Sequence, residues 1–136
     1  MALSSNKPSE FDDYPDELAQ VAPHDAPARA VIKRVIDGDT IVALIDQRFS
    51  DYKMLTLRIA GIDAPEMFSG SDAQRERGRG ARDYLLSLAP PGTHIVVRTY
   101  QDKVTFNRYV ADVTLPGGLD LATEMIRAGH AVVIRR

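Results

Sequence analysis

Five side chains in this 136-residue sequence have types and spacing that could do chemistry together. They are Asp39 in "VIDGDTIV", Arg58, Asp63 and Glu66 in "LRIAGIDAPE", and Arg108 in "FNRYV". Asp37 and Asp39 interrupt a run of valines and isoleucines, and a buried carboxylate is costly unless a positive group meets it. Two carboxylates brought to one point repel each other unless a cation or a proton joins them. The chain has no cysteine, and His24, His94 and His130 are scattered without metal-ligand spacing. A ligand set here is therefore all oxygen, which selects a hard ion such as Ca²⁺ or Mg²⁺. Arg58 and Arg108 offer planar forks that match a phosphate and the charge that grows on it during reaction. Carboxylates, a hard cation, two guanidinium groups and a spare carboxylate in Glu66 together make a constellation for cleaving a phosphodiester.

Each of these residues also has an ordinary use. "DGD" favours a turn, Asp63 could cap a loop, and a glutamate such as Glu66 is normally solvated. Arg58 could be an exposed strand residue, and Arg108 could pair with Asp102 or Asp112. The joint order carries the weight: an acidic turn, an arginine on a strand, Asp-Ala-Pro-Glu, then an arginine on a later strand.

The elements that must position these groups are legible in outline. "RAVIKRVIDG" and "DTIVALID" are β-rich runs hinged at Gly38, and "YKMLTLRIAGID" is the clearest strand. Its Leu55, Leu57 and Ile59 alternate with Thr56, Arg58 and Ala60, so one face is apolar and Arg58 lies on the other. Three successive strands with short connections suggest a meander. "MFSGSDAQRERGRG", with its glycines and charges, reads as a mobile loop. In "ARDYLLSLAPPGT" the residues Ala81, Tyr84, Leu85 and Leu88 make the core stripe of a short helix, which Pro90, Pro91 and Gly92 stop. "HIVVRTY" and "RYVADVTL" are further strands. Asp120 is an N-cap for a second short helix with Leu121, Ala122, Met125 and Ile126 buried and Gly129 as its stop. "AVVI" closes the chain as a strand. The predicted fold is mainly β within the α+β class: a five-stranded Greek-key barrel of the OB type with two short helices.

Composition bounds the rest. With 44% hydrophobic and 26% charged residues, a folded domain is the default. No apolar run is long enough to span a membrane, so no membrane partner is expected. No signal peptide is visible, which predicts a cytoplasmic chain as encoded. Residues 1–28 carry one lysine against six acids, a net of −5, which leaves +3 for residues 29–136 in a chain whose total is −2. An acidic extension, flexible by composition, is expected over 1–28, and a mildly basic domain over 29–136.

Over roughly residues 29–134 the sequence resembles the staphylococcal nuclease (thermonuclease) family. "VIDGDTIV", "LRIAGIDAPE" and "DKVTFNRYVADV" are similar to its three signatures, and "EMIRAGHAVV" to its second helix and following strand. The resemblance implies Ca²⁺-dependent hydrolysis of DNA and RNA with little sequence preference, leaving 3′-phosphates. Residue by residue it implies that Asp39, Asp63 and the backbone carbonyl of Ala64 hold the calcium ion, with Mg²⁺ the lesser alternative. Arg58 would bind the scissile phosphate, Arg108 would stabilise the transition state, and Glu66 would be the general base. Asp37 and Thr40 would tune the ion from behind its ligands. Phe106 and Arg135 fall in the nucleotide pocket, Arg135 where the family has a tyrosine, and Asn107 replaces the family's glycine. The family is often secreted. Its third helix has no counterpart before Arg136, so a second copy of the chain is expected to cover the surface left open. The competing expectation is a catalytically silent OB-like module that binds nucleic acid or protein.

Overall fold

The computed structural model describes residues 27–101 and 109–134. Strands β1 (Ala28–Asp37), β2 (Thr40–Asp46) and β3 (Tyr52–Ile59) form the expected antiparallel meander. After them come the two-residue β4 (Ile62–Asp63), helix α1 (Asp72–Leu88), β5 (His94–Gln101), β6 (Tyr109–Thr114), helix α2 (Leu121–Arg127) and β7 (Val132–Val133). Five strands close a barrel in the order β1-β2-β3-β6-β5, and β4 pairs with β7 beside it. The β3–β6 pair is parallel, and the other barrel pairs are antiparallel. The barrel with its two helices is the OB-type architecture expected. Neither helix is long and apolar enough to cross a membrane.

Alternation builds the core. Ile41, Ala43 and Ile45 of β2 face inward, as do Leu57 and Ile59 of β3, while Arg58 lies on the outer side. Helices α1 and α2 close over the interior with Ala81, Leu85, Leu121 and Met125, all fully buried. Burying each large aliphatic side chain contributes about 1.5–3 kcal/mol. Helix α2 begins at the expected cap, where Asp120 accepts a hydrogen bond from the Thr123 N–H. It ends in a Schellman motif: Gly129 takes φ +79°, its N–H donates to the Ile126 carbonyl, and His130 N–H donates to that of Met125.

One expectation fails. Within "MFSGSDAQRERGRG", read as a loop, the residues from Asp72 onward are the first half of a 17-residue helix. Ser71 and Gln74 form a reciprocal capping box, so the N-terminal groups are satisfied. Charges that looked like a solvated loop pair along the helix surface, Arg75 with Asp72 and Arg79 with Glu76. The glycines that suggested a break include Gly78, which is buried against backbone. A Cβ there would lie 2.3 Å from the Glu66 carbonyl oxygen.

At the far end of the β2–β3 hairpin, Arg48, Phe49 and Ser50 all take positive φ, and Phe49 is 97% exposed. Hydrogen bonds hold this turn: Arg48 N–H donates to the Asp46 carboxylate, and Gln47 N–H to the Asp51 carbonyl.

Candidate active site

The short β1–β2 turn at Gly38 brings Asp39 inward at one rim of the barrel. The Asp39 side chain is almost fully buried, and every contact it makes fixes a neighbour. Its Oδ2 accepts the Ala64 N–H at 2.9 Å and meets Arg58 Nη1 at 2.9 Å. Its Oδ1 accepts the Thr40 hydroxyl at 3.0 Å, and its carbonyl accepts Ile59 N–H at 2.8 Å. Arg58, opposite Thr40 in the β2–β3 register, spends its other nitrogen on the next loop. Nη2 donates to the Ile62 carbonyl at 3.1 Å and to Asp63 Oδ1 at 3.2 Å. One guanidinium therefore joins Asp39 to Asp63.

Electrostatics follow from this crowding. Burial first, and then the adjacent Asp39 carboxyl, push the Asp37 carboxyl up to about 6. Burial also opposes ionisation of Asp39. Hydrogen bonds from the Asp37 carboxyl, the Ala64 N–H and the Thr40 hydroxyl, with the Arg58 charge, outweigh it and hold Asp39 below the usual carboxylate range. Desolvation disfavours the Arg58 cation, but Asp39 and Asp63 more than compensate and raise its pKa. Asp37 Oδ1 accepts Asp39 N–H at 3.1 Å, so the two acids are locked in one turn.

Asp37, Asp39, Thr40, Arg58, Asp63 and Ala64 thus form one connected group. Glu66 stands apart from it. Its Oε2 accepts the Ser69 hydroxyl at 2.6 Å, and it lines a separate cleft of about 440 Å³ with Pro65, Gln74 and Arg77. Arg108, Phe106 and Arg135 lie outside the described residues. The contact of Gly78 with the Glu66–Met67 backbone was missed from sequence, as was the seating of Gly38 against the β-carbons of Ala64 and Ala81. "RGRGAR", with small residues at Gly78 and Ala81, is spaced i, i+3 and held the signal for a helix face pressed close to backbone.

The donor set suits a hard cation. Asp39 and Asp63 are gathered by a positive group and offer only oxygen ligands. Among the described residues no three His, Cys, Asp or Glu side chains gather closely enough to hold an ion alone. Carboxylates from Asp39 and Asp63, the Ala64 carbonyl and water would have to share that work.

A closed five-stranded barrel with an arginine-bridged pair of acids on its rim defines an OB-type domain with a polar, charged site. Comparison with known proteins narrows this class. The family model described as "Staphylococcal nuclease homologue" matches residues 56–136. Two curated proteins, each named "Uncharacterized endonuclease", from Escherichia coli O157:H7 and Escherichia coli, are 34% identical over 102 residues. The match covers 75% of this chain, and the chain spans 58% of the length of those relatives. The chain belongs to the staphylococcal nuclease homologue family.

Proposed function

We propose that this chain is a metal-dependent nuclease that hydrolyses phosphodiester bonds of DNA, RNA or both with little sequence preference, leaving 3′-phosphates. The observation that carries the reading is Arg58, held between Asp39 at 2.9 Å and Asp63 at 3.2 Å on the barrel rim. The family membership and the name of the two relatives support it.

In this reading Asp39, Asp63 and the Ala64 carbonyl hold one Ca²⁺, with Mg²⁺ the weaker substitute. Bound there, the ion supplies Lewis-acid neutralisation of a phosphoryl oxygen. Arg58 binds a non-bridging oxygen of the scissile phosphate through its fork and is pre-aimed by the two aspartates. Glu66, exposed and held by Ser69, orients a water and takes its proton as the water attacks phosphorus. The P–O5′ bond breaks, and the leaving oxygen takes a proton from solvent. By the family resemblance, Arg108 would stabilise the charge that develops on phosphorus, and Phe106 and Arg135 would serve nucleotide binding; all three lie outside the described residues. Asp37 and Thr40 act on Asp39 and so on the ion.

Digestion of plasmid and single-stranded DNA with Ca²⁺, with Mg²⁺ and with a chelator tests the reading. Calcium should support cleavage, and the chelator should abolish it. Cleavage that survives chelation, or a protein inert with every ion, would sink it. The second reading, a silent nucleic-acid- or protein-binding module, is favoured by the way Arg58 itself already neutralises Asp39 and Asp63. Binding of DNA without cleavage in any ion would select it.

A further inference from the structure

Helix α1 carries four arginines, and three of them are paired within the helix. Arg75 meets Asp72, Arg79 meets Glu76, and Arg82 meets Asp83. Arg77 has no acidic partner among the described residues and lines the cleft that holds Glu66. Its place there is fixed by the neighbouring residue. Gly78 is buried with its α-carbon against the Glu66–Met67 backbone, so close that a Cβ would lie 2.5 Å from the Glu66 carbonyl carbon and 2.8 Å from Met67 N. The helix cannot slide away from Glu66 without opening that contact. Among the other polar walls, the Gln74 side-chain oxygen accepts Ser71 N–H, and Ser69 donates to Glu66. The cleft, of about 440 Å³, therefore presents one uncommitted cation beside a carboxylate that its own hydroxyl partner restrains.

We propose that this cleft is a subsite for a phosphate of the substrate strand flanking the scissile one, and that Arg77 is its binding cation. The inference rests on the nuclease reading for the word "flanking", but the binding itself does not require hydrolysis. A guanidinium with no internal partner gives up no ion pair when it meets a phosphate, whereas Arg75, Arg79 and Arg82 would. Arg77 is thus a strand-positioning residue. It sets where the polyanion lies relative to Glu66 and touches no reacting atom.

The test has a binding arm and a cleavage arm. Fluorescence anisotropy of a short labelled single-stranded DNA is measured in chelator across about 50–200 mM salt, where each phosphate contact contributes about 0.7 to the salt slope for a single strand. Arg77→Ala should lower the slope by about that amount, Arg77→Lys should keep it, and Arg79→Ala should leave it unchanged. In calcium, Arg77→Ala should raise KM for a long strand while kcat stays, and a nucleotide diester with a single phosphate should be cleaved as before. An unchanged slope in Arg77→Ala, an equal drop in Arg79→Ala, or no binding by the unaltered protein would each overturn the subsite. If the unaltered protein binds but never cleaves, the nuclease reading fails, and the slope alone decides whether Arg77 holds a phosphate.

Discussion

Strand β2 has an aspartate–arginine pair at each end, and the two pairs differ little in distance. Arg58 meets Asp39 at 2.9 Å and Arg29 meets Asp46 at 3.1 Å. Their surroundings differ far more. The Arg58 and Asp39 side chains are 16% and 7% exposed, while those of Arg29 and Asp46 are 85% and 24% exposed. At the buried end the aspartate is further satisfied by Thr40 and Ala64, the arginine reaches on to Ile62 and Asp63, and a neighbouring acid is pushed up. At the open end water screens the pair, and such pairs contribute about 0–1 kcal/mol. Contact distance therefore says little about chemical consequence. Desolvation and the number of committed partners decide it.

Truncating the arginine at each end of β2 should separate the two pairs most widely. Arg58→Ala leaves Asp39 buried without its cation and should cost about 3 kcal/mol in urea unfolding, while Arg29→Ala should cost less than about 1 kcal/mol. Similar losses at the two ends would remove the distinction. A conservative change isolates the chemistry. Arg58→Lys keeps the charge but not the fork, and strand cleavage should fall by about 10²–10³, or roughly 2.7–4 kcal/mol of barrier, with Arg29→Lys unaffected. Near-full activity in purified Arg58→Lys would remove Arg58 from its assigned role.

The smallest expected effect concerns Asp37. Its folded pKa of about 6 lies above the ordinary value of 3.8, so its contribution to stability is complete below pH 3.8 and is lost as pH rises through 6. Asp37→Asn, which keeps the oxygen that accepts Asp39 N–H, should make the metal-free protein more stable at pH 7.5. The residue is partly exposed to solvent, so the gain should be about 1 kcal/mol rather than the full shift. At pH 3.5 the gain should vanish. A gain independent of pH would show that charge at Asp37 is not its source.

Much of this was legible in the sequence because local rules carried it. Alternation alone placed Leu57 and Ile59 inside and Arg58 outside. Asp120 and Gly129 bounded α2 because cap chemistry is written within a few residues. The start of α1 was hidden because Gly78 and Gly80 suppress helix propensity, and part of the reason for Gly78 is a close backbone contact with Glu66, twelve residues earlier in the chain. Asp39 stands just before β2 and Asp63 ends β4, and Arg58 joins the two. The bond from Ala64 N–H to Asp39, across 25 residues, depends on how the β4 loop folds back, and no periodicity encodes that. The cleft beside Glu66 was illegible for the same reason, since its wall is the helix misread as a loop.

Gly38 has a final implication. A methyl group at that position would sit 2.7 Å from the Ala81 β-carbon and 2.8 Å from that of Ala64. Turn, helix and post-strand loop therefore meet as three small parts of one joint, and none of the three can grow alone. Grafting this rim onto another barrel would require all three positions to be transplanted as a set, because the aspartates follow the joint rather than the strand they are written on.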